Sequence, residues 1–389
     1  MDYIRNAMFI IFMAHALQVT SGARILGVFP HVTKSHFVMA EQLMKGLASK
    51  GHEVVVLSHF PQKEKIPNYT DISLVGSMPG FYRFWYDIPS EAIVKKYFGE
   101  SIPPLHELVR NTSLILANRH FTINQPIPNV PAVIEVGGIH VPIPKKLPQD
   151  LDKFMNESEH GVIVFSLGST VKASTFSEQK RDAFIEAFRE LPQRVLWKWE
   201  GDALPGQPKN IKIIKWMPQG DVLAHHNVKV FITHGGLMGT MEAVYAGVPM
   251  VVIPLFGDQF LNAKSYEEEG VGVQLDYHTI TKESVLNAIT TVLNDQKYAE
   301  RAKDTSQAFK DRPMSPLETA IFWTEYVLRH RGAPFLRTAG ADLPWYQYVL
   351  LDVVSALILI GYLSPCDHVL QYKVCNFSIF RNVFLNLKK

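Results

Sequence analysis

The residues best placed to do chemistry lie in one run, Phe231 to Ala263, FITHGGLMGTMEAVYAGVPMVVIPLFGDQFLNA. An apolar strand ends at Thr233, and His234-Gly235-Gly236 turns tightly into a helix. Glycines let backbone N–H groups approach a ligand closely, and a helix N-terminus favours an anion. His234 adds a donor at the same spot. Together they describe a diphosphate seat at the C-terminal edge of a parallel sheet. Glu242 follows His234 by about two helical turns and is within reach of a ribose hydroxyl pair. Asp258-Gln259, after the next strand, offers acceptors and donors suited to sugar hydroxyls. Any one of these residues alone reads as a cap or a surface polar group; their joint order is what points to a site.

The elements needed to hold these residues are legible around them. Strands are expected at 161–165, 194–199, 211–214, 228–233 and 250–253. Helices are expected at 176–191 and 237–246, and others begin near Asn262 and Lys282. Alternating short apolar strands and amphipathic helices argue for a doubly wound α/β domain. Upstream, Arg24–Phe29, a helix from about His36 to Lys50 and Glu53–Leu57 form a β-α-β unit, which opens a second parallel sheet. The stretch 61–89 reads as loop; 91–98 and 104–111 look helical and 113–117 looks like a strand. The proline-rich segment 125–148 reads as a linker. In the first unit, Ser35-His36 opens the helix after the first strand. A near-neutral imidazole there is suited to take the proton of an attacking hydroxyl. The alternatives are a solvated loop histidine, or His31 in its place. His225 and His226 read as surface residues.

The run Phe231–Ala263 resembles the signature of the UDP-glycosyltransferase family, which includes animal UDP-glucuronosyltransferases and insect UDP-glucosyltransferases. Trp216-Met217-Pro218-Gln219 also matches the family's donor loop, and the stretch Leu114–Val141, with Glu135 to His140 reading EVGGIH, is most similar to insect members. The resemblance implies two facing Rossmann-like domains of GT-B type. It implies transfer of a hexosyl group, glucose or glucuronate, from a UDP-sugar to a hydroxyl of a small lipophilic acceptor, with inversion. Trp216 would stack on uracil, Gln219 contact the nucleoside, and Ser169, His234, Gly236 and Gly239 face the diphosphate. Glu242 would hold the ribose, Asp258 and Gln259 the sugar, and His36 would be the catalytic base. Two positions depart from the pattern: Met238 stands where many relatives carry Asn, and Lys198 where some carry Arg. The resemblance implies no metal and no cofactor beyond the co-substrate; Asp150-Leu151-Asp152 has a metal-binding form but reads as a helix cap.

The N-terminal half is shorter than the family pattern. Ser77-Met78-Pro79-Gly80 runs almost directly into Phe81-Tyr82-Arg83-Phe84, and no residue matches the family's aspartate that orients the catalytic histidine. This leaves a second reading, a catalytically silent chain that binds UDP-sugar and pairs with or regulates full-length relatives.

Composition and flanking segments bound the compartment. In 389 residues, 47% are hydrophobic and 20% charged, which excludes a disordered chain, and a net charge of +2 without a basic stripe excludes nucleic acid as partner. Arg5 followed by the apolar run 7–17 and small residues to Ala23 reads as a signal peptide over 1–22. Residues 23–141 are then the truncated acceptor-binding domain and 142–343 the UDP-sugar-binding domain with closing helices. An aromatic belt at Trp345, Tyr346 and Tyr348 leads into the apolar run 349–363, a transmembrane helix over 344–363 whose stretch from Tyr346 to Leu363 is about 27 Å long. The cationic tail 364–389, which holds Cys366 and Cys375, is placed in the cytosol and the body in the endoplasmic reticulum lumen. There the sequons at Asn68, Asn111 and Asn156 accept glycans and the one at Asn376 does not.

Overall fold

A computed structural model of the chain describes residues 22–29, 34–73, 95, 99–104, 107–108, 111–169 and 171–361. The signal-peptide stretch, His31, most of the expected helices over 91–98 and 104–111, and the whole tail with Asn376 lie outside the described residues. The chain divides into two compact units, 1–129 with 133–333 and 130–132 with 334–389.

The first unit opens with β1 (Arg24–Phe29), α1 (Lys34–Ser49), β2 (Glu53–Ser58) and β3 (Tyr69–Ser73). The three strands pair in parallel in the order β1-β2-β3. β3 lies inside the stretch expected to be loop. Phe37, Met44 and Leu47 of α1 bury against Val54 and Val56 of β2. On β1, however, Leu26 and Val28 stay 47% and 41% exposed, so an apolar strand face is left largely uncovered. β4 (Ile115–Ala117) and β5 (Val133–Glu135) form a separate parallel pair. β5 corrects the linker reading of 125–148: the prolines flank a short strand rather than replacing it.

The remaining elements are α2 (Gln149–Asn156), β6 (Val162–Ser166), α3 (Glu178–Arg189), β7 (Arg194–Lys198), β8 (Ile211–Ile214) and α4 (Gln219–Leu223). They continue with β9 (Val228–Thr233), α5 (Leu237–Ala246), β10 (Met250–Val252), α6 (Gln259–Glu268), β11 (Gly272–Gln274), α7 (Lys282–Asn294), α8 (Gln296–Lys310) and α9 (Pro316–Arg329). Six parallel strands run in the order β11-β10-β9-β6-β7-β8. Alternation along the strands feeds two cores. Ile163, Phe165, Val195, Trp197, Val230 and Ile232 bury on one face, and Val162, Val164, Leu196 and Phe231 on the other. Near-continuous apolar strands are what a sheet covered on both sides requires. The chain leaves β6 toward β7 and β8, then returns to β9 and proceeds the opposite way to β10 and β11. The reversal places a crevice beyond the C-terminal ends of β6 and β9, where open α/β sheets bind ligands.

Helix α9 closes this unit back onto the N-terminal elements. Ser315 and Glu318 form a capping box around Pro316 at its start. Ile321 packs with Phe37 and Leu47, and Ala320 with Val136 and Ile139. His52 Nδ1 accepts from the Ala23 N–H at 3.1 Å, and its Nε2 lies 3.2 Å from Glu325 Oε1.

The second unit, over its described residues, consists of two short 3-10 turns, α10 (Trp345–Tyr348) and a helical stretch at 351–361. The continuous helix expected over 344–363 is broken. Leu350 sits at φ +58°, a left-handed conformation that costs a leucine energy, and it separates α10 from the helical turns that follow. No helix among the described residues is long and apolar enough to cross a membrane, and 362–363 lie outside them.

Candidate active site

The crevice beyond β6 and β9 is a cleft of about 610 Å³. It is lined by His36, Ser169, Trp216, Gln219, His234, Gly236, Gly239, Glu242, Asp258 and Gln259, so the ten residues singled out from the sequence converge on one space.

His234 follows β9 directly. Gly168, at φ +75° in the turn after β6, lies so close that a Cβ on it would sit 2.8 Å from His234 Cε1. A Cβ on Gly236 would meet Nε2 at 2.5 Å. The imidazole is thus wedged between two backbones that only glycine allows. Burial, with Lys198 nearby and only partly offset by Asp258, pushes its pKa down to about 4. It is therefore a neutral ring at physiological pH. Its Nδ1 is buried with no hydrogen-bond partner among the described residues. Helix α5 begins immediately afterwards with Gly236 as N-cap. Among the described residues no side chain caps its first turn, whose residues Gly236 to Gly239 line the cleft, an arrangement suited to an anion.

Two turns into α5, Glu242 Oε2 accepts a 2.6 Å hydrogen bond from Gln219 Nε2 at the start of α4. Burial raises the Glu242 pKa to about 7; the bond from Gln219 opposes this shift and the charge of Asp221 adds to it. Gly239 lets the Gln219 amide approach, for a Cβ there would lie 3.0 Å from Nε2. Beside this pair Trp216 presents its indole to solvent, 72% exposed. A large aromatic left so open on a cleft is suited to stacking against a flat ligand.

After β10, the buried Gln259 accepts from the N–H groups of Leu255 and Phe256 at 2.8 and 3.1 Å. Its Oε1 thereby shapes the loop. Asn262, one turn along α6, donates to Asp258 Oδ2 and to the Gly235 carbonyl, both at 3.0 Å. It ties the Asp258 loop to the glycine turn after β9, a role not read from the sequence. Lys198 Nζ donates to the Gly168 carbonyl at 2.8 Å and pairs with Glu200 at 2.9 Å, bracing the β6 turn.

From the N-terminal side, Lys34, Ser35 and His36 in the first turn of α1 reach the same cleft. His36 is exposed, with Ser35 Oγ 3.4 Å from its Nδ1. Asn118, after β4, and His140, after β5, also line the cleft. They stand in the stretch whose resemblance to insect sequences was noted, but nothing in their spacing marked them as site residues. Asp150 pairs with Lys212 at 3.4 Å on the first turn of α2 and is not among the residues lining the cleft. His225 and His226 stack on each other at 4.4 Å and take no part in it. Of the sequons, Asn68, Asn111 and Asn156 are exposed.

Facing sheets of this kind, with a nucleotide-sized cleft at the switch point, define the GT-B class of glycosyltransferase folds. The solved structures of an anthocyanidin 3-O-glucosyltransferase in complex with UDP (TM-score 0.63, 16% identity) and of the glycosyltransferase of kitacinnamycin (TM-score 0.54, 18% identity) share this fold. They cover 80% and 81% of the chain, and the whole of each solved chain is covered. The sequence profile of the UDP-glucoronosyl and UDP-glucosyl transferases matches residues 86–389, more than half of the chain, and the chain belongs to that family. It is 57% identical over 270 residues to UDP-glycosyltransferase UGT5 of Dactylopius coccus, covering 69% of this chain and 51% of the relative. To human UDP-glucuronosyltransferase 1A9 it is 43% identical over 256 residues, covering 66% of this chain and 48% of the relative. The chain thus spans about half the length of these relatives.

Proposed function

We propose that the cleft binds a UDP-sugar and that the chain transfers the hexosyl group, glucose or glucuronate, to a hydroxyl of a small lipophilic acceptor with inversion. The observation that carries this reading is the uncapped α5 N-terminus with neutral His234 and, two turns along the same helix, the Gln219–Glu242 pair, in one cleft with exposed Trp216. That spacing suits a diphosphate and a nucleoside in one molecule. Trp216 stacks on uracil, Glu242 accepts from the ribose hydroxyls, and His234, Ser169, Gly236 and Gly239 hold the diphosphate. Asp258 and Gln259 bind the sugar. The acceptor oxygen attacks the anomeric carbon from the side opposite the diphosphate. His36 takes its proton as the new C–O bond forms, and the bond to UDP breaks. Buried donors aimed at the leaving diphosphate stabilise the charge that develops there.

The test is to incubate the full chain with UDP-glucose or UDP-glucuronate, a phenolic acceptor and EDTA, and to assign the anomeric configuration of any product by NMR. A β-glycoside, lost in His36→Ala, is expected. A product of retained configuration, or one unchanged by His36→Ala, would overturn the mechanism.

Placement of the body in the endoplasmic reticulum lumen, anchored by one C-terminal helix, belongs to the same reading. It is supported by the apolar run 349–361, whose described side chains are exposed, and by the cationic tail. Glycosidase treatment should increase gel mobility, and substituting Asn68, Asn111 and Asn156 together should abolish the change. A shift that depends on Asn376 would reverse the orientation.

A further inference from the structure

Two polar side chains with no part in the donor-site reading are among the residues lining the same cleft, and each holds a buried polar atom without a partner. His140 is 6% exposed, and its Nε2 lies 3.0 Å from the carbonyl oxygen of Met238, the second residue of α5. A carbonyl can only accept, so Nε2 carries the proton and Nδ1 is a bare lone pair. Asn118 Nδ2 lies 3.4 Å from the thioether sulfur of the same Met238. A thioether also only accepts, so the amide nitrogen faces it and Oδ1 points elsewhere. Both leftover atoms, His140 Nδ1 and Asn118 Oδ1, are buried and without a partner among the described residues. Orphaned buried acceptors are uncommon in folded proteins and call for a cause. With His234 Nδ1 they make three partnerless buried atoms among the residues lining one cleft, and these two, both hinged on the first turn of α5, point to a ligand.

We propose that Asn118 and His140 form a hydroxyl-binding subsite that receives a hydroxyl of the transferred sugar; this rests on the UDP-sugar reading above. The chemistry selects the occupant. Both atoms accept, so the occupant must bring protons. A diphosphate brings none, and a lipophilic acceptor brings chiefly the hydroxyl that must meet the base. A hexose carries several hydroxyls, and it hangs from the phosphate that would sit at the α5 N-terminus, one residue from Met238. Burial holds the His140 pKa near 4, so the Nδ1 lone pair is kept across the working pH range. Met238 itself supplies the rigid point: its carbonyl fixes the imidazole tautomer and its sulfur only weakly engages the amide, leaving Asn118 free to tighten on a better partner.

The experiment compares UDP, UDP-glucose, UDP-glucuronate and monodeoxy UDP-glucose analogues by calorimetry on the full chain and on Asn118→Leu and His140→Phe. In each variant UDP should bind within about twofold of the parent chain. The preferred UDP-sugar should weaken about tenfold, which is about 1.4 kcal/mol. One monodeoxy donor should lose the same factor against the parent chain and nothing more against the variant. Parallel loss of UDP and UDP-sugar would overturn the subsite, because it would mean the two residues act through Met238 on the diphosphate seat. Full affinity of the parent chain for every monodeoxy donor would overturn it too, without reliance on any variant. Failure of the parent chain to bind UDP at all would instead overturn the UDP-sugar reading, since UDP carries no hexose.

Discussion

Replacing Glu242 with glutamine keeps the hydrogen bond from Gln219 but removes a carboxyl that burial holds protonated up to a pKa of about 7. The ordinary value for the group is 4.5, so between pH 4.5 and about 7 the folded chain holds a proton that the unfolded chain has released. Stability must therefore fall as pH rises through that window and stay low above it. At roughly 1.4 kcal/mol per pH unit the ceiling on this loss is about 3 kcal/mol, and about 2 kcal/mol is expected once residual solvent contact is allowed for. Urea unfolding of the parent chain and E242Q at pH 4.5 and pH 8 reads the effect. The two should be close at pH 4.5, and E242Q should be more stable by about 2 kcal/mol at pH 8. The same carboxyl gives a binding signature. Ribose hydroxyls donate to a carboxylate and favour its ionised form, so UDP-glucose binding at pH 7 should release about half a proton. Calorimetry in buffers of different ionisation enthalpy measures that release, and E242Q should abolish it. Equal pH dependence of stability in the two proteins, or proton uptake on binding, would refute the reasoning.

Two other consequences are simpler to read. Gly236→Ala places a methyl group 2.5 Å from His234 Nε2, so the ring must shift; a loss of about 1–3 kcal/mol in stability and weaker UDP binding are expected in urea unfolding and calorimetry. Glu325→Gln weakens the tie from α9 to His52, 3.2 Å long and part-buried, and should cost about 1 kcal/mol in thermal or urea unfolding while leaving UDP affinity unchanged.

The second half of the sheet was legible because its chemistry is contiguous. Between Phe231 and Ala263 the chain passes from strand to glycine turn to helix to strand, and each site residue sits at a fixed offset from the last. Helix α5 falls where it was expected because Gly236 and Gly247 bracket it, the latter as a left-handed C-cap at φ +72°. Three strands escaped notice, all of them short; β11 is only the three residues Gly272–Gln274. β3 opens behind Asn68 at φ +61° with the polar pattern YTDIS, and β5 is three residues set among prolines. Asn118, His140 and Asn262 were illegible for another reason. Each acts through an atom brought to it by tertiary folding, on Met238 in the first two cases and on Gly235 in the third. The broken helix at Leu350 was equally hidden, because an apolar run carries no local mark of a left-handed residue.

Whether the cleft is a UDP seat is tested most directly by calorimetric titration of UDP into the full chain in EDTA, beside Trp216→Ala. The indole is 72% exposed, so its removal should leave the unfolding midpoint in place. Saturable binding by the parent chain is predicted, weakened by roughly 1–3 kcal/mol when the stacking platform is lost. No binding by the parent chain, or equal affinity in the two proteins, would contradict the account.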